Sequence, residues 1–375
     1  MRVVYLCWTN GRSLHNVGRA LVAPMAERGI QVDVVDSREW FERPTHADVA
    51  LLAHLEFLWP TFPYRRYVGA IVGVMHDPDE VSTFGDRLDW SREPMHEVPA
   101  LAALDRVLTC SHEMQAVLRG RYGVDAWHAG TFPHNADAIS DVVRCASDVA
   151  STDGPVRFIT TALGPRRESW PGMLQRLRRG HFWWRDEGGR PSLRQLRSTA
   201  IRTHRKNVRW LDRLARALAA DPRAAVDFRV GDDQPPLADD AYLARVASGA
   251  VYVCASYMEG GPLPVMEAVL AGLAVITTPV GQTAEWVEDG RSGVVCRTYA
   301  ELERACRQYL DDPALLAAHR ARAREIASRQ RFDGDGWAAF LRGERAVDRV
   351  QLKPSATGCN RMQPNAGEAG ADTTA

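Results

Sequence analysis

The sequence predicts an α/β protein built from two doubly wound, Rossmann-like parallel-sheet domains. Three observations carry that expectation. Short apolar runs alternate with stretches of helical periodicity through the first 140 residues. The same alternation restarts near Pro155. Residues 250–278 then spell out one complete unit of such a sheet: a buried strand, a Gly- and Pro-rich turn, a helix and a second strand. At 375 residues the chain is long enough for two cores.

Arg2–Cys7 reads as the first strand, apolar throughout as a parallel strand buried on both faces should be. Thr9–Asn16 is a polar connection containing Gly11, placed where open α/β sheets bind ligands. Val17–Arg28 has helical spacing and stops at Gly29, and Gln31–Val35 is the second strand. Asp48–Ala53, Val68–Met75 and Asp105–Thr109 are further strands, and Ser111–Arg121 a helix. The pair His76–Asp77 follows the carboxyl end of one of these strands. In the second domain Val156–Thr161 and Val226–Gly231 are strands, and Asp239–Ser248 a short helix. Glu301–Leu310, Pro313–Arg329 and Trp337–Arg342 are helical, and Pro354–Ala375 lacks the apolar bulk to order itself. The organisation is therefore 1–140, 141–345 with a basic insertion at about 163–203, and a disordered tail at 346–375.

Lys+Arg and Asp+Glu are both 47, which gives no global attraction to nucleic acid or membrane. No apolar run reaches the roughly 18–20 residues of a membrane span, and the N-terminus has no signal-peptide pattern. Seven cysteines, an odd number without a Cys-x-x-Cys pair, fit free thiols in a reducing cytoplasm rather than a zinc site.

The stretch Ser256–Gly281 carries the chemistry. The chain breaks at Gly260, Gly261 and Pro262 and restarts as a helix, with Pro264 suited to its first position. Amides at Gly260, Gly261 and Leu263, with the helix dipole behind them, suit a phosphate or diphosphate. Glu259 lies just before the helix and Glu267 in its first turn, placed to accept hydrogen bonds from a sugar and from a ribose diol. Two carboxylates around an anion-binding turn suit a nucleotide sugar better than a lone phosphate.

E-G-G-P-L-P-V-M-E followed by A-x-x-A-G-x-x-V-I-T-T, with Gly281 and Glu285 beyond, resembles the donor-site signature of GT-B glycosyltransferases. The likeness is to the retaining group called family 4. It implies two domains facing a cleft, the second holding a UDP-, GDP-, ADP- or dTDP-linked sugar, and no cofactor or bound metal. The acceptor would be a small molecule, a glycan or a lipid-linked sugar, held by the first domain. R-K-N-V-R-W-L-D resembles the family's Lys-containing helix start, which assigns Lys206 to the diphosphate with Arg202 or Arg205 as partner. The family's Arg-x4-Lys spacing is not kept. His76 matches a cleft residue near the transferred sugar, and Phe132–Asp137 the segment crossing between domains. The implied reaction is retaining sugar transfer to an acceptor hydroxyl. The alternatives are an epimerase or phosphorylase of the same fold, or a non-catalytic nucleotide-sugar binder.

From Leu163 to Arg216 fifteen basic residues face four acidic ones, with Trp170, Phe182, Trp183, Trp184 and Trp210 among them. A solvated insertion with its aromatics folded onto the domain is the favoured reading, ahead of a peripheral membrane contact.

Overall fold

The computed structural model describes residues 1–7, 12–54, 58, 62–75, 103–130, 154–162, 206–230, 239–257, 259, 261–330 and 332–345. The insertion at 163–203, the crossing segment 132–137 and the tail at 346–375 lie outside these residues.

Two parallel sheets form, as the apolar runs require. The first contains β1 (Arg2–Cys7), β2 (Gln31–Asp36), β3 (Ala47–Leu52), β4 (Val68–Met75), β5 (Arg106–Thr109) and β6 (Trp127–His128) in the order β2-β1-β3-β4-β5-β6. Helices α1 (Arg12–Ala26), α2 (Ser37–Glu42) and α3 (His112–Val117) belong to this lobe. The second sheet contains β7 (Val156–Ala162), β8 (Ala224–Val230), β9 (Val251–Cys254), β10 (Ala274–Thr277) and β11 (Gly293–Val295), ordered β11-β10-β9-β7-β8. Around it lie α4 (Val208–Ala219), α5 (Asp239–Ala247), α6 (Leu263–Leu270), α7 (Thr283–Trp286), α8 (Tyr299–Asp311) and α9 (Pro313–Arg329). β9 and β10 are buried at every residue, which explains why they read as unbroken apolar runs.

Several boundaries differ from the sequence expectation, four of them for a clear local reason. The connection after β1 is shorter than Thr9–Asn16, because α1 already begins at Arg12. Ser111 is not a helical residue but the cap of α3, its hydroxyl accepting from the Met114 N–H at 3.1 Å. The predicted single helix over 111–121 widens after Val117 into a π turn at Leu118–Tyr122. Helix α8 starts at Tyr299, two residues early, because Thr298 and Glu301 form a reciprocal capping box.

The final helix, α10 (Gly334–Arg342), leaves the second lobe and packs on the first. Trp337, Phe340 and Leu341 enter the first core, and the Phe340 ring lies 4.8 Å from Trp127. Arg106 of β5 donates to the Phe340 carbonyl at 2.5 Å, and Arg28 pairs with Asp335 at 2.7 Å. The described chain thus returns to the lobe where it began, and α10 straps the two together. No helix of the described residues is long and apolar enough to cross a membrane.

Gly293 of β11 pairs with Val275 of β10 at close range. A Cβ there would stand 2.1 Å from the Val275 carbonyl oxygen and 2.9 Å from Val287. Gly293→Ala is therefore expected to cost about 1–3 kcal/mol by overpacking. A thermal melt should show the loss, and an unshifted midpoint would contradict this register.

Candidate functional site

In the second sheet β7 has β8 on one side and β9 on the other, so the strand order reverses between β7 and β9. Such a reversal opens a crevice at the carboxyl ends of the strands. Thr161 and Ala162 at the end of β7, Ala255 and Ser256 after β9, Lys206, and Pro262 at the head of α6 line one pocket there. Parallel strands bring these segments together although they are far apart in the chain.

Helix α6 begins at Leu263, with Pro264 second rather than first. Pro262 is its N-cap and makes no side-chain bond to the helix, so the leading amides are not capped from within. Gly272, at φ +70°, closes the other end. Glu267 is the fifth helical residue, one turn inside the helix rather than within its first turn. The Tyr242 hydroxyl, on α5, donates to Glu267 Oε2. Burial, and then the Glu267 charge, push the Tyr242 hydroxyl well above its ordinary range, so it stays a donor.

Glu259 is buried, and Lys206 Nζ lies 2.5 Å from its Oε1. The Lys206 side chain is 20% exposed and that of Glu259 only 7%. A carboxylate so far from water needs a cation, and Lys206 supplies it. The sequence assigned these residues to different parts of one donor; the fold makes them direct partners at the mouth of the crevice. Cys254 lies beside them, but burial and the Glu259 charge push its thiol up, which argues against a nucleophilic role.

Arg245 was not singled out in the sequence. Its side chain is only 10% exposed and pairs with Asp227 at 2.8 Å. It also donates to Thr161 Oγ1 and to the Thr160 carbonyl, both at 2.9 Å. It therefore braces the end of β7 on which the crevice depends. Neither Arg245 nor Tyr242 carries a sequence signal beyond lying on a short amphipathic helix.

The turn before α6 faces the first lobe at very short range. A Cβ on Gly261 would meet Cys110 Sγ, just after β5, at 3.0 Å and Gln282 Oε1 at 3.1 Å. Glycine is needed here for close approach. Leu263 packs against the first core as well as against the core beneath α6. Gln282 Nε2 donates to the Gly130 carbonyl at 3.2 Å, another tie across the lobes.

The structure thus brings Lys206, Glu259, Gly261, Leu263 and Glu267 around the start of α6. His76, Gly11, Gly260, Arg202 and Arg205 lie outside the described residues. Met75, which precedes His76, is buried at the end of β4, and its carbonyl lies 3.8 Å from Cys110 Sγ. The end of β4 therefore adjoins the strand end that Gly261 touches.

Residues 238–330, which include α5 through α9, match the family model described as Glycosyl transferases group 1. No curated protein matches the chain in sequence. Many solved structures share its architecture, three of them as follows. HepE of Anabaena, in complex with UDP and glucose, is 14% identical with a TM-score of 0.55, over 92% of this chain and 99% of its own. Sucrose-phosphate synthase of Thermosynechococcus elongatus is 14% identical with a TM-score of 0.54, over 92% and 98%. WaaG, a glycosyltransferase involved in lipopolysaccharide biosynthesis, is 14% identical with a TM-score of 0.55, over 91% and 100%. The chain has the GT-B fold of these structures, and its residues 238–330 are similar to group 1 glycosyl transferases.

Proposed function

We propose that this protein transfers a sugar from a nucleotide-diphosphate donor to an acceptor hydroxyl or similar nucleophile. Transfer retains the anomeric configuration, uses no metal in the reacting centre, and takes place in the cytoplasm. The observation that carries the reading is the meeting of Lys206, Glu259 and the head of α6 at the point where the second sheet reverses order.

The roles follow from where charge develops. The bond between the anomeric carbon and the diphosphate oxygen breaks, and negative charge grows on the leaving group. Lys206 and the amides at Gly261 and Leu263 stabilise that charge. Arg202 or Arg205 adds a second cation. Glu259 holds the sugar hydroxyls and orients the reacting face. The acceptor oxygen attacks the face the diphosphate leaves, and its proton passes to a phosphate oxygen, so no protein base is needed. His76 is assigned to the transferred sugar by its match to the family's cleft residue. The acceptor is a small molecule, a glycan or a lipid-linked sugar.

Glu267 binds the ribose diol. Glu267→Ala is expected to weaken donor binding by about ten- to a hundredfold, the worth of hydrogen bonds to a charged acceptor. Calorimetry on the folded variant measures this, and unchanged affinity would remove Glu267 from the role. The activity itself is tested by incubating the protein with UDP-, GDP-, ADP- and dTDP-sugars. UDP-glucose goes first, since HepE was solved with UDP and glucose. Slow donor hydrolysis without acceptor is expected. A donor that is bound but never consumed would favour a binding protein, and an epimerised donor an epimerase.

A further inference from the structure

Among the described residues, three metal-ligating side chains come together outside the donor pocket: His112, His128 and Glu285. One ligand atom from each lies within 4.8 Å of the others. The three come from both lobes. His112 opens α3, His128 ends β6, and Glu285 is the third residue of α7.

The surrounding contacts orient these groups as ligands. Glu285 Oε1 accepts the backbone N–H of His112 at 2.7 Å, which fixes the carboxylate, while Oε2 lies 3.0 Å from His128 Nε2. Gln115, one turn along α3, donates its amide to the Ala126 carbonyl at 2.8 Å. That bond turns the Gln115 oxygen toward His112 Nδ1, 3.4 Å away. A proton on Nδ1 leaves the lone pair on Nε2, the way outer partners set the tautomer of a metal-bound histidine. The two imidazole rings stack with centroids 3.8 Å apart at 29°. Two stacked imidazoles beside a carboxylate suit a shared cation. The His128–Glu285 pair alone gives no reason for the second ring.

We propose that His112 Nε2, His128 Nε2 and Glu285 form a site for a divalent transition metal of the zinc class that clips the two lobes together. Two imidazoles and a carboxylate leave a tetrahedral ion one position for water. Ligand atoms bound at about 2.1 Å to such an ion stand roughly 3.4 Å apart, so side-chain rotations of about 1 Å complete the site. His112 is exposed, which gives the ion an entry path. None of the three residues lines the pocket at the head of α6, and the site does not rest on the proposed reaction.

The test uses the full chain stripped with chelator and titrated with ZnCl2 by calorimetry, with CoCl2 absorption reporting the coordination. One ion per chain is expected. His112→Ala keeps the backbone N–H that holds Glu285 but removes a ligand, and should weaken binding by more than tenfold. His128→Ala should do the same, and Gln115→Ala should cost about tenfold by freeing the His112 ring. No stoichiometric binding by the native chain, or native affinity in either histidine variant, would overturn the site.

Discussion

Replacing Lys206 by alanine is expected to lower kcat by about 10²–10³-fold, the usual cost of losing one preorganised donor to a developing anion. Donor affinity should fall much less, because the charge Lys206 meets grows as the sugar–diphosphate bond breaks. Single-turnover kinetics with saturating donor separate the two effects. Equal losses in turnover and affinity would mean that Lys206 binds ground state and transition state alike. The variant also leaves Glu259 without its 2.5 Å partner. Breaking a fully buried pair costs about 3–5 kcal/mol, and the cost should be lower here because Lys206 is 20% exposed. Lys206→Met combined with Glu259→Gln removes both charges and should recover much of the stability while staying inactive. That result would separate the chemical role of Lys206 from its structural one.

Glu259→Gln is the second large effect. The neutral amide keeps the shape but loses the charged acceptor proposed to hold the sugar hydroxyls, worth about 1.5–3 kcal/mol, or ten- to about a hundredfold in kcat/KM. It also frees Lys206 from its ion pair, so affinity for the bare nucleoside diphosphate should stay the same or rise. A drop in turnover with undiminished nucleotide binding is thus the expected signature. Loss of nucleotide binding to the same degree as turnover would place Glu259 on the nucleotide rather than on the sugar.

Much of the architecture was legible because its determinants are local. β9 and β10 read as strands because both faces are buried, which leaves no charged residue to interrupt them. Gly272 and the prolines at 262 and 264 mark the two ends of α6 by backbone chemistry alone. The capping pair Thr298 and Glu301 was equally local, a Thr-x-x-Glu pattern that would have placed the start of α8 correctly.

The site was only partly legible. Glu259, Glu267 and the turn between them sit in one short stretch, so their proximity shows in the sequence. The Lys206–Glu259 pair does not, because it exists only once β7 and β9 lie side by side. Tyr242 supports Glu267 from a different helix, and Arg245 braces β7 and β8 at once, so neither has a linear pattern. His112 and His128 meet within the first lobe, and Glu285 joins them from the second, so the cluster has no linear pattern.

The central claim is that the head of α6, between Lys206 and Glu267, holds the diphosphate end of an activated sugar. A crystal structure with the nucleoside diphosphate that most raises the melting temperature tests it most directly. The account predicts a phosphate oxygen on the Leu263 amide, a second about 2.7–2.9 Å from Lys206 Nζ, and the ribose on Glu267. A nucleotide bound elsewhere, with Lys206 still held by Glu259 and α6 untouched, would contradict it.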